Sequence, residues 1–511
     1  MKIKVNHYSG LCCIFLMIVS GTASSDTFNL EESSLLRESL TVEGIRHHQK
    51  ELEKIALNNN GNRFVKGEGY KQSLDYVENQ LKISGYQLSR QSFPLYFSEN
   101  NSEPQFEQSK PEKYPFKLDE DFSIMSQKAT LEFTAQIEAV DLTIPSPKAN
   151  SSTSGCEVSD FSNFTKGNIA LIQRGSCTFQ TKVNNAHAAG AVGVIIFNEG
   201  NPGRLDVISS SIRGPLAQYP VLGASFAVGQ KLSSSKSHGA TENFGHIKID
   251  VIEKRHMVQN LIAETAKGDE TRVLVVGSHL DSVIHGPGIN DNGSGSATIL
   301  SIAQKYAQLS IEPKNKIRFI WFAAEELGLL GSEHYVSSLS ANEKKHILAM
   351  LNFDMLNSSN YARFVYNGSR ASEGSGFIEQ IFLDYFKDMG LVSHPTSFDG
   401  RSDYGPFIQA GIPAGGLFSG AEGRKSARLA EIYGGIAYAP YDPCYHKSCD
   451  DFAHTGELPE YSLALKSLDE LSDAAAHAVL ALSKSDADIR STDLDGKTAI
   501  EFEYRGNYLL R

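Results

Sequence analysis

The chain has no surplus of basic residues: 48 lysines and arginines stand against 60 aspartates and glutamates, for a formal net charge of -12. A phosphate-backbone partner favours a concentrated basic face, so this balance argues against nucleic acid. There is also no apolar run near the roughly 20 residues needed to span a bilayer. Cysteine is scarce, six in 511 residues, and the spacings are not those of a zinc ribbon, which argues against thiolate metal ligands. What is present, 41% hydrophobic and 21% charged residues, is ordinary for a soluble globular enzyme of two or three domains.

Lys2 and Lys4, an apolar run over 11–19 and the small residues Gly21, Thr22, Ala23, Ser24 and Ser25 match the three zones of a secretory signal peptide. The expectation is a signal over 1–24 and a secreted chain, extracellular or periplasmic, with no stable membrane anchor. Cys12 and Cys13 leave with the signal, so Cys156, Cys177, Cys444 and Cys449 remain. An even number in an exported chain suggests disulfides. Three pairings are open, and the separations favour Cys156 with Cys177 and Cys444 with Cys449.

Residues 25–130 open a first domain, in which Tyr76, Val77, Leu81 and Ile83 suit an amphipathic helix. The polar stretch 99–113 and the Ser-, Pro- and Thr-rich stretch 145–155 read as surface connections. Residues 131–250 form a block of their own, with a strand at 169–175, a helix at 179–189 and a strand at 192–197, a β-α-β pattern. From 251 to 485 the text is strongly α/β, with strand-like runs at 273–276, 316–323 and 345–354, a helix over 294–309 and a closing helix over 465–484. Such alternation predicts an α/β fold, a mostly parallel sheet flanked by helices. Residues 486–511 read as a polar tail without a core role.

Polar residues gather where open α/β sheets bind ligands, beyond the carboxyl ends of the strands. His279 and Asp281, two apart in extended chain, share one face. The glycine-rich turn 286–295 can bring Asp291 close to a cation. Glu325 and Glu326 follow a second strand, Asp354 a third, and His446 lies in a Cys-flanked segment. A lone Asp or His in a loop is usually a cap or a turn former. Two imidazoles with several carboxylates suit zinc-type cations, and two metals a few ångströms apart need a carboxylate to bridge them.

These motifs, Gly277-Ser278-His279-Leu280-Asp281-Ser282, Gly286-Pro287-Gly288-Ile289-Asn290-Asp291, Ala324-Glu325-Glu326-Leu327-Gly328, Asn352-Phe353-Asp354-Met355 and Cys444-Tyr445-His446, resemble those of the M28 zinc aminopeptidases, particularly the secreted microbial type. The block 131–250 resembles a protease-associated (PA) domain, through Ile169 to Gly175, Cys177-Thr178-Phe179 and Gly190 to Ile196. The resemblance implies a zinc-exopeptidase-like peptidase domain in two parts, 25–130 and 251–485, with the PA domain inserted, and two zinc ions per chain. It implies that His279 and Asp354 hold one metal, Glu326 and His446 the other, and that Asp291 bridges both. Asp281 would orient His279. Glu325 would be the general base, acting on the metal-bridging water, with Tyr445 donating to the oxyanion. The plain alternative for Tyr445 is a packed aromatic. The segment 398–407 is similar to the family's substrate pocket, in which Arg401 positions substrate; here Tyr404 stands where relatives often have histidine, and Pro395 replaces an acidic residue. The segment 411–418 reads either as an apolar pocket wall or as a buried strand.

The expected substrates are therefore peptide or protein N-termini. A metallocarboxypeptidase of the same fold is a second reading, though Arg401 has no concentrated arginine set beside it. A non-catalytic binding module is a third, and the intact ligand set argues against it.

Overall fold

The computed structural model describes residues 30–126, 129–210, 212, 216 and 218–492. The expected signal peptide lies outside them, as does the tail from 493. In chain order the first domain opens with helices α1 (Leu30–Ser39), α2 (Val42–Leu57) and α3 (Glu68–Lys82), then strands β1 (Gln87–Asn100), β2 (Gln105–Lys110), β3 (Tyr114–Phe116) and β4 (Phe122–Ile124). The insert follows as β5 (Ala129–Val140), β6 (Ile169–Gln173), α4 (Phe179–Ala188), β7 (Gly193–Phe197), β8 (Val221–Ala224) and α5 (Phe226–Ser233). Strand β9 (Gly239–Glu264) leads back to β10 (Asp269–His279), α6 (Gly293–Gln308), β11 (Asn315–Phe322), α7 (Leu330–Ser338), α8 (Ala341–His346) and β12 (Ile347–Phe353). The chain closes with β13 (Phe364–Tyr366), α9 (Ser375–Asp388), β14 (His394–Thr396), α10 (Tyr404–Gln409), β15 (Ala414–Phe418), α11 (Ala427–Tyr433) and α12 (Leu463–Lys484).

Side-chain oxygens at helix starts explain several of these boundaries. Thr41, Thr178 and Ser225 each accept a backbone N–H of the first turn, and Ser340 forms a reciprocal capping box with Glu343.

Strand β9 joins the two parts. Over its 26 residues, its first half pairs with β5 and β2, and its second half with β1 and β11. On the peptidase side the order is β14-β13-β15-β12-β10-β11-β9, with β11, β10, β12 and β15 parallel. On the other side β5, β6, β7 and β8 run parallel. The continuous apolar runs are strands covered on both faces. Leu274 and Val276 of β10 enter one core with Phe319 and Trp321, while Val273 and Val275 enter the opposite core with Ile320 and Phe322. The insert repeats the pattern: Ile169 and Leu171 of β6 face one cluster, Ala170 and Ile172 the other.

Three sequence expectations change. The stretch 99–113 is not a connection: it carries the end of β1 and all of β2, and pairing with β9 satisfies the backbone while Phe106 and Gln108 alternate inward. Ile83 lies one residue beyond α3 and is exposed, so the apolar face of that helix ends at Leu81. The segment after 485 begins with a core contact, since Ile489 is buried in the main cluster. The run 411–418 does both things proposed for it, ending as buried strand β15 with Phe418 on a cavity wall.

Candidate metal centre

Three parallel strands deliver the cluster from their carboxyl ends. β10 ends on His279, β11 runs into Ala324-Glu325-Glu326, and β12 runs into Asp354. The backbone at Ala324, Met355 and His446 is left-handed, with φ of 57°, 56° and 58°. That conformation is costly for a non-glycine residue and gathers at functional sites. Asp291 comes from the turn before α6. At Gly288, φ is 63° and a Cβ would meet the Asp291 carbonyl oxygen at 2.3 Å. At Gly295, a Cβ would meet the Phe353 carbonyl at 2.2 Å, so only glycine lets the first turn of α6 approach the end of β12. Asn292 caps α6 by accepting from Gly295 N, and its amide donates to the Phe353 carbonyl at 3.0 Å.

Asp291 lies between the two imidazoles. Its Oδ1 is 3.2 Å from His279 Nε2 and its Oδ2 is 3.1 Å from His446 Nε2. His279 Nε2 is also 3.5 Å from Asp354 and 3.9 Å from Glu325, and His446 Nε2 is 3.1 Å from Glu326. Ligand atoms of His279, Glu325 and Asp354, and again of His279, Asp291 and Glu326, lie within 4.8 Å of one another. The disulfide Cys444–Cys449 closes the loop that carries Tyr445 and His446, and Cys156–Cys177 closes the loop before α4; both match the local pairs favoured by the separations.

The charge balance is lopsided. Asp281, Asp291, Glu325, Glu326, Asp354 and Asp403 are all buried, against two imidazoles and Arg63. Burial, reinforced by neighbouring carboxylates and only partly offset by His279, raises Glu325 well above the ordinary range. Burial pushes Asp281 and Asp403 up to about 7. At His446 burial works downward, but Glu326 and Asp291 outweigh it and lift the imidazole to about 11. An excess of buried negative charge of this kind calls for cations. His279 Nε2, Glu326 Oε1 and Asp354 Oδ1 are buried without a hydrogen-bond partner, and the nitrogen and oxygen donor set fits zinc.

The supporting contacts were mostly unread in the sequence. His279 Nδ1 lies 3.1 Å from the backbone carbonyl of Asp281, while the Asp281 carboxylate accepts from Glu325 N at 3.2 Å. Asp281 thus meets the imidazole chiefly through its main chain, with its carboxylate 3.8 Å from Nδ1, and holds the Glu325 backbone through its side chain. Ser402 donates to Asp354 Oδ2 at 2.5 Å. Asp450 accepts from the backbone N–H groups of Asn290 and Asp291 at 2.6 and 2.9 Å. Arg63, fully buried, donates to the carbonyls of Leu280, Pro287 and Gly288, tying together the two loops that carry Asp281 and Asp291.

Beside the cluster opens a cavity of ≈ 240 Å³. Met355, Phe364, Tyr366, Phe418 and Tyr441 give it an apolar wall, while Asp291, Glu325 and Asp354 lie at its metal end. Arg401 and Tyr445 also line it, joined by a bond of 3.2 Å from guanidinium to phenol. Tyr404 is buried in the wall, its hydroxyl bonded to Asp399 at 2.9 Å.

The model of peptidase family M28 matches residues 260–460, and that of the PA domain matches 139–232. An aminopeptidase of Pseudomonas aeruginosa is 42% identical over 416 residues, covering 80% of this chain and 76% of that one. The chain belongs to peptidase family M28. Leucine aminopeptidase 2 of Arthroderma otae is 36% identical over 414 residues, 76% of this chain and 75% of the fungal one. BSAP, a zinc aminopeptidase from Bacillus subtilis, superposes with a TM-score of 0.64 at 25% identity, covering 87% of this chain and 95% of that one. This M28 chain is therefore a metallohydrolase with a PA domain set into it. Among the described residues no helix is long and apolar enough to cross a membrane.

Proposed function

We propose that this M28 peptidase is a secreted aminopeptidase that binds two zinc ions and removes the N-terminal residue of peptides. The observation that carries the reading is the placing of Asp291 between His279 and His446, each about 3 Å from one of its two oxygens. His279 and Asp354 would hold one ion and Glu326 and His446 the other, with Asp291 shared. Zinc in such a site supplies Lewis-acid polarisation of a carbonyl and lowers the pKa of water.

The chain's own residues do the rest. Glu325 faces the cavity among the ligands, placed to take a proton from the attacking water and pass it to the leaving amine. Asp281 fixes the Glu325 backbone, and its carbonyl sets the His279 ring. Tyr445, stacked on His446 at 3.8 Å between ring centroids, directs its hydroxyl to the oxyanion, and Arg401 holds that phenol. The aromatic wall takes the side chain of the residue removed. The segments 25–130 and 251–485 form the peptidase domain, with the PA domain over 131–250 shaping access. Export rests on residues 1–24.

The test compares a leucyl anilide with a free amine against its N-acetylated form. Cleavage of the free-amine form alone, lost with chelator, restored by zinc and absent in Glu325→Ala, supports the reading. Inertness to both forms, with release of a C-terminal residue from an N-blocked peptide, replaces it with a carboxypeptidase; inertness to all substrates despite bound metal means a binding module.

A further inference from the structure

Three separate loops meet at the mouth of the cavity through one guanidinium. Arg401 precedes α10, Glu422 follows β15, and Tyr445 belongs to the Cys444–Cys449 loop. Arg401 Nη1 donates to Glu422 Oε1 at 2.7 Å and Nη2 to the Tyr445 hydroxyl oxygen at 3.2 Å, while its backbone N–H donates to Asp399 Oδ1 at 3.1 Å. A guanidinium is a rigid planar fork, so fixing one nitrogen on a carboxylate fixes the direction of the other. The Tyr445 ring plane is already set by stacking on His446, at 23° between planes. Stacking by itself does not set the direction of the hydroxyl hydrogen. A phenol oxygen that accepts from Arg401 turns its own hydrogen away from the guanidinium.

We propose that Glu422 is a positioning residue, acting through Arg401 to orient the Tyr445 hydroxyl for the oxyanion. The proposal rests on the aminopeptidase reading and deepens it. Burial pushes the Glu422 carboxyl up, but the hydrogen bond and charge of Arg401 more than offset this, and it stays ionised at neutral pH. The Glu422 and Arg401 side chains are 56% and 29% exposed, and a surface pair of that kind adds little to stability. Its value must then show in catalysis. The competing role for a carboxylate here is direct capture of a cationic group on the substrate, which would raise KM whether or not Tyr445 is present.

The experiment uses the full zinc-loaded chain with Glu422→Gln, Glu422→Asp, Tyr445→Phe and the Glu422→Gln/Tyr445→Phe pair. Tyr445→Phe should lower kcat by about 10²-fold, the loss that follows removal of one oxyanion donor. Glu422→Gln should lower kcat about five- to tenfold with KM within about twofold and the melting temperature unchanged, and Glu422→Asp should recover part of the loss. In the Tyr445→Phe background the Glu422→Gln change should cost less than about twofold, because the two act as one unit. Inhibition by an aminoalkyl boronic acid, a tetrahedral mimic, should weaken in Glu422→Gln by the same factor as kcat, with inhibition by free leucine unmoved. A rise in KM that persists without Tyr445 would overturn the proposal in favour of direct substrate contact. Unchanged kinetics would reduce the pair to a surface contact. If the wild-type chain is inert on free-amine substrates, the aminopeptidase reading itself fails.

Discussion

Arg63 is the perturbation that most sharply tests how the metal loops are held. Its guanidinium donates to three backbone carbonyls, Leu280, Pro287 and Gly288, in a fully buried setting. Burial lowers its pKa to about 10, with Asp281, Asp450, Asp291 and Glu326 working in the opposite direction, so it is a cation at neutral pH. Arg63→Ala strands those three acceptors where water does not reach. At about 1–3 kcal/mol for each buried unsatisfied group, the loss is at least about 3 kcal/mol, a large share of an ordinary domain's 5–15 kcal/mol. The chain has a single tryptophan, Trp321, buried on β11, so its fluorescence reports the peptidase core alone. With a urea slope of about 3 kcal/mol/M, the midpoint should fall by about 1 M. Arg63→Lys, with one head group for three carbonyls, should fall between. Where the variant remains folded, turnover should drop more than about tenfold, because small displacements of a positioned group are expensive in rate. A variant with wild-type midpoint and turnover would refute the reasoning.

Other consequences follow from the same contacts. His48, packed between Tyr76 and Gln304, is pushed down to about 4 chiefly by burial. The unfolded imidazole titrates near 6.5, so between about 6.5 and 4 the unfolded chain binds the extra proton and stability falls with falling pH, by about 3 kcal/mol from this group. The Trp321 urea midpoint should drop across that window, and less so in His48→Gln; a flat profile would contradict the assignment. Ser402→Ala removes the hydroxyl that donates to Asp354 and should weaken zinc binding about 10- to 100-fold in competition with a chromogenic chelator. Replacing both Cys444 and Cys449 by serine frees the loop that carries His446. Zinc should then exchange faster and turnover fall, with the PA domain, on its own cluster and its own disulfide, unaffected in protease resistance.

Much of the architecture was legible because strands buried on both faces leave continuous apolar runs, and β6, β7, β10 and β11 all carry them. Within the cluster, His279, Glu325, Glu326 and Asp354 were legible because they follow strand ends, while Asp291 and His446 stood out through the glycine-rich turn and the cysteine-flanked segment that carry them. The strand β2 within 99–113 was not, because Phe106 is its one apolar residue and its other buried position is the polar Gln108, so Glu107, Gln108 and Ser109 read as loop. Arg63, Ser402, Asp450 and Glu422 were missed as supports for a different reason. Each acts on a residue far away in the chain, Asp450 on Asp291 across 159 positions and Arg63 on Gly288 across 225, and local pattern carries no trace of such pairings. Asp281 shows a subtler limit: extended-chain geometry placed its side chain on the face of His279, and its carboxylate does lie 3.8 Å from Nδ1, but the shorter contact to the ring, 3.1 Å, comes from its carbonyl.

In the proposed mechanism Glu325 moves the proton within a site that the other residues build for two zinc ions. The direct measurement is the turnover of a leucyl anilide by Glu325→Gln protein whose zinc content has been brought to two ions per chain. Full metal content with kcat at least about 10²-fold below wild type, the size of a lost general base, is the expected result. Turnover within about tenfold of wild type at that metal content would contradict it.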